Sequence, residues 1–109
     1  MLQSEATEAR PFYSVSYQYK SNWPFTEYYE LTNNKNKTTM SGTDDEKLAI
    51  AAAKFIINKY SYYNSVYVSK SVDCYNHKQI LKIKRLPSGK FIIVKNDDKT
   101  TAELKEKLD

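Results

Sequence analysis

Cys74-Tyr75-Asn76-His77 brings together the only cysteine and the only histidine of a 109-residue sequence. A thiol beside an imidazole can act as a nucleophile, but such a site also needs an orienting group and an oxyanion hole. C-x-x-H spacing offers two zinc ligands, where a structural site takes four and a catalytic site three. The tetrapeptide therefore reads as a turn. Asp44-Asp45-Glu46 is an acidic run, yet three acids in the first turn of a helix are what the macrodipole favours, so these are capping charges. Gly42 and Gly89 are isolated, and neither opens a phosphate-cradling loop of the Walker or dinucleotide kind. The sequence predicts no catalytic residue, no metal and no cofactor, and the chain reads as a binding module and not an enzyme.

The distribution of charge carries more information. The net charge is +4. Residues 1–43 are balanced, as are 44–77, whereas 78–95 contain Lys78, Lys82, Lys84, Arg85, Lys90 and Lys95 with no acid. Strand alternation places Lys78, Lys82 and Lys84 on one face and Leu81, Ile83 and Arg85 on the other, a basic ridge with about 7 Å between alternate positions. A stripe of this kind suits a polyanion, and Lys82, Lys84, Arg85 and Lys90 are expected to act as phosphate contacts. Bases stack on flat side chains, and Tyr62, Tyr63, Tyr67 and Tyr75 lie near this hairpin in sequence. Tyr67 and Tyr75 complete the expected nucleic-acid surface. Lysines on a strand also guard an edge against aggregation, and tyrosine is an ordinary core residue, so each feature has a purely structural use as well.

The alternative partner is a protein. Trp23-Pro24-Phe25 sits in an expected loop, with Tyr28 and Tyr29 just beyond, and Trp23, Phe25, Tyr28 and Tyr29 are the residue types that anchor interfaces. This would suit an inhibitor or accessory protein of phage or viral type acting on a host or cognate protein. A third arrangement is a homodimer through an exposed strand such as 25–31.

The elements that must carry these residues follow from periodicity. The first ten residues show none and are expected as a flexible tail, with one α+β domain from 11 to 109. From Phe12 to Lys20 apolar and polar residues alternate strictly, which predicts a strand, and 25–31 is its hairpin partner. Thr43 and Glu46 form a capping box at the head of a helix over about 44–60, with Ala49, Ala52, Ala53, Ile56, Ile57 and Tyr60 on one side. Val66, Val68 and Val72 share a face of a third strand that only Lys70 interrupts. Pro87-Ser88-Gly89 joins the strands 78–86 and 90–95, and Thr100 with Glu103 predicts a short C-terminal helix. The order ββαβββα predicts an antiparallel sheet of about five strands with both helices on one face.

A lone cysteine suits a reducing compartment, so cytoplasmic localisation is expected. No window is apolar enough to span a membrane, and the acidic start is unlike a signal peptide. Heavy use of Asn, Lys, Tyr and Ile with two Gly suggests an AT-rich genome, such as that of many phages, viruses and low-GC bacteria, and a host cytoplasm if the source is viral.

Overall fold

Tyr13, Val15 and Tyr17 alternate with Ser14 and Ser16 along β1 (Phe12–Gln18), and this period-two pattern sets one face of the sheet against a helix. The computed structural model describes residues 3–18, 27–29, 31–32, 39–40, 42–61 and 63–108. β2 (Glu27–Tyr29) follows, then β3 (Leu31–Thr32) and β4 (Thr39–Met40), which among the described residues pair with each other. After α1 (Glu46–Lys59) come β5 (Ser65–Ser71), β6 (His77–Arg85), β7 (Phe91–Lys95) and β8 (Thr101–Lys105). The main sheet has six strands in the order β2-β1-β5-β6-β7-β8, every pairing antiparallel. The expected α+β class holds, with the main helix on one face of an antiparallel sheet.

α1 lays Ala49, Ala53, Ile56 and Ile57 against Val15, Val66, Val68, Leu81, Ile83, Phe91 and Ile93 of the sheet. The contact side of the helix is small at Ala49 and Ala53 and large toward its end at Ile56 and Ile57. Tyr17, Tyr60 and Tyr63 close the core there, with ring centroids 4.3 Å apart for Tyr17 and Tyr63 and 5.4 Å for Tyr60 and Tyr63.

The expected capping box does not form. Asp45 is the N-cap, its Oδ1 accepting from the amides of Lys47 and Leu48. Thr43 is held by the sheet instead, since it exchanges two backbone hydrogen bonds with Tyr13 and its Oγ1 accepts from the Asp45 amide. Gly42, just before it, runs so close to β1 that any side chain there would overlap the Phe12 ring and the Tyr13 carbonyl.

The C-terminal helix is also replaced. Residues 101–105 form β8, paired along its length with β7. A helix of so few residues is marginal by itself, whereas the free edge of β7 offers a ladder of backbone donors and acceptors. Leu108, beyond this strand, packs on the core. In the N-terminal ten residues, Gln3–Glu5 makes a 3-10 turn, Ala6 is buried, and Arg10 forms an ion pair with Asp44 at 2.8 Å. No helix among the described residues is long and apolar enough to cross a membrane.

Candidate nucleic-acid interface

The hairpin of β6 and β7 turns at Pro87-Ser88-Gly89. The Gly89 amide donates to the Leu86 carbonyl at 2.9 Å, the Leu86 amide donates to the Lys90 carbonyl at 2.8 Å, and Gly89 has φ +88°. Pro fixes the entry to this turn, and the left-handed residue lets the strands rejoin in register. That register opposes Arg85 with Phe91 and Ile83 with Ile93.

Alternation from these pairs assigns each side chain to a face. Leu81 and Ile83 point at α1, so Lys82 and Lys84 point the other way, onto the face without the helix, which is open toward β8 and covered toward β1, where Phe12, Ser14 and Ser16 are buried. Tyr67 is directly opposite Lys82, and the Lys82 ammonium lies 5.7 Å from the centre of the Tyr67 ring. The same row continues to Val94 and Ala102, while the row of Lys84 continues to Ile92 and Leu104. Leu104 is 59% exposed. Of the strand residues on this face whose side chains are described, none is a carboxylate: Glu103 shares a row with Ile93 and so stands on the helix side, and Glu106 follows beyond the end of β8.

Two members of the expected basic set are elsewhere. The pairing of β5 with β6 shifts between Val68 and Ser69, so that Val68 opposes Leu81 but Ser69 opposes Gln79, and Ile80 is extra. This β-bulge reverses the alternation, placing Lys78 on the helix side opposite Lys70. The expected ridge of Lys78, Lys82 and Lys84 is therefore two lysines long. Arg85, on the helix side by parity, donates from Nη2 to the Ile57 carbonyl in the last turn of α1. Its guanidinium lies 5.4 Å from the Phe91 ring. A cation at the negative end of a helix, satisfying a carbonyl the helix itself leaves free, is a structural contact and not a phosphate contact.

Lys90 is exposed beyond the turn, 3.9 Å from the Glu106 carboxylate. Tyr75 is 86% exposed but belongs to the bend between β5 and β6, at the end of the sheet away from Lys84 and Lys90. That bend is organised by Asp73, whose Oδ1 accepts from the amides of Asn76 and Tyr75 at 2.7 and 2.8 Å. These amides, the Asn76 one foremost, hold the Asp73 carboxyl below its ordinary pKa. Cys74 in the same bend is an exposed free thiol. Tyr63 belongs to the core, and Tyr62 lies outside the described residues.

The aromatic set expected to meet a protein is described only in part. Trp23 and Phe25 lie outside the described residues, and Tyr28 and Tyr29 are placed by backbone alone, in β2 opposite Ser16 and Val15. No group of three His, Cys, Asp or Glu suited to a metal occurs among the described residues. Sequence reasoning did not single out the aliphatic half of the open face, Ile92, Val94 and Leu104. The unbroken apolar run Phe91-Ile92-Ile93-Val94, apolar on both faces of a strand, was its available signal.

No family model, curated protein or solved structure matches the chain.

Proposed function

We propose that this protein is a non-catalytic binding module that engages nucleic acid across the open face of its β6–β7 hairpin. The observation that carries this reading is the row in which Lys82 lies over Tyr67, beside Lys84, on a face with no carboxylate among its described strand residues. An aromatic ring next to ammonium groups is the pairing that single strands use, bases stacking while cations neutralise phosphates. Ile92, Val94 and Leu104 extend the row with apolar surface that sugars and bases can cover. Contacts of this kind are salt-sensitive and nearly independent of sequence.

The test is fluorescence anisotropy with labelled single-stranded DNA, RNA and duplex DNA at low and near-physiological salt. Binding in the micromolar range or tighter is expected, with a steep salt slope. The double variant Lys82→Ala/Lys84→Ala should weaken it and reduce the slope by about two, one per lost phosphate contact. Wild-type affinity in that variant would remove the reading.

The second reading is a protein partner, as for a phage-type or viral accessory protein in a host cytoplasm. It is favoured by Leu104, an exposed aliphatic side chain on β8, which among the described residues pairs on one side only, so that the edge can receive a strand from a partner or from a second copy. Absence of nucleic-acid binding at low salt would make a pull-down from lysate, with Leu104→Asp as control, the next experiment.

A further inference from the structure

Past the bulge at Ile80, Lys78 and Lys70 stand directly opposite each other on the helix side of the sheet. Tyr13, the next residue in that row, is buried against the core, which fixes the side. Lys95 opposes Leu81 and shares this side. The three lysines line one cavity of about 470 Å³ between the first turn of α1 and the ends of β5, β6 and β7, walled by Ile50 and Ile80.

Like charges directly opposite across an antiparallel pair are destabilising. Neither Lys70 nor Lys78 has an ion-pair partner among the described residues, and nor has Lys95. Carboxylates are close by, since Glu46, Asp97 and Asp98 also reach the cavity. Two of them are engaged otherwise: Glu46 accepts from the Tyr13 hydroxyl at 3.4 Å, and Asp97 accepts from the Lys99 amide at 3.2 Å. Those hydrogen bonds leave the carboxylates charged, but none of the three forms an ion pair with these lysines, so the Lys70–Lys78 repulsion is offset only at longer range, at a place where a bulge has re-aimed one of them. Bulges recur where a side chain must be redirected toward a site.

We propose that this cleft binds a small phosphate monoester of nucleotide size, with its phosphate held by Lys70, Lys78 and Lys95 and its organic part against Ile50 and Ile80. Lysine is a point-charge binder of phosphate, and an anion between Lys70 and Lys78 turns their repulsion into shared attraction. The volume falls within the range of small-ligand sites, about 300–1,000 Å³. The acceptors of Asn96 and Asp98 at the rim are available to hydroxyl and amino groups of the ligand. The sheet separates this cleft from the Tyr67 face, so the two sites are occupied independently.

Isothermal titration calorimetry of the full chain with AMP, adenosine and inorganic phosphate tests the proposal. AMP should bind saturably, and adenosine at least about tenfold more weakly, a loss of 1.4 kcal/mol or more. Lys78→Met and Lys70→Met should each weaken AMP by a similar factor without lowering Tm, because each also removes a like-charge contact. Tyr67→Ala/Lys84→Ala should bind AMP as the wild type does, which separates this cleft from the nucleic-acid face. No saturable AMP binding, adenosine binding as tight as AMP, or lysine variants that bind like the wild type would overturn the proposal. Inorganic phosphate binding as tightly as AMP would overturn the role given to Ile50 and Ile80.

Discussion

The two faces of the sheet are made from the same strands by the same alternation, yet they are used in opposite ways. On the helix side Val66, Val68, Ile83 and Ile93 are sealed under α1, and Arg85, a cation on that side, is tied to a helix carbonyl. On the open side their immediate neighbours Tyr67, Lys82, Lys84, Ile92 and Val94 have no helix above them. Parity, and not place in a basic run, decides whether a charge reaches toward α1 or away from it: Lys84 and Arg85 are adjacent in sequence and face opposite sides.

The largest effect that tests this contrast is on stability. Ile83→Ala removes a fully buried side chain at the centre of the core and should cost about 2–5 kcal/mol in urea denaturation, whereas Ile92→Ala, one row away on the open face, should cost about 1 kcal/mol or less. Equal losses would mean that the open face is covered. Arg85→Met is next. It leaves the Ile57 carbonyl without its donor and should cost about 1–3 kcal/mol while leaving nucleic-acid affinity unchanged. Reduced affinity at unchanged stability would instead return Arg85 to the binding surface.

The smallest effect belongs to Arg10 and Asp44. The hydrogen bond from Arg10 holds the Asp44 carboxyl below its ordinary value of 3.8. The folded pKa is therefore the lower one, so the pair's contribution is present above the unfolded value and lost as pH falls through the folded value. Arg10→Ala should flatten the acid limb of stability against pH slightly, since both side chains are largely exposed, at 60% and 45%. A large change would show that the N-terminal residues are more tightly built in than this ion pair implies.

Much of the candidate site could be read from residue types alone. Tyr67, Lys82 and Lys84 lie on the face that alternation assigns them, because each is in a stretch of unbroken strand whose hydrophobic set must face the helix. Lys78 could not be placed in this way. Its side depends on an extra residue in β6, and nothing in Lys78-Gln79-Ile80-Leu81 distinguishes the bulged residue from its neighbours.

Local signals were enough for the alternating β1, the helix with its alanine and isoleucine stripe, the turn at Pro87-Ser88-Gly89, and the antiparallel α+β class that follows from their order. Tertiary structure alone decided what depends on a distant neighbour. Residues 101–105 became a strand because β7 had a free edge, Thr43 gave up the cap to Asp45 because Tyr13 held its backbone, and Arg85 became a helix clamp because α1 ends beside it. In each case a backbone group outside the local segment supplied a hydrogen-bond partner, and pairing with it outweighed the local preference.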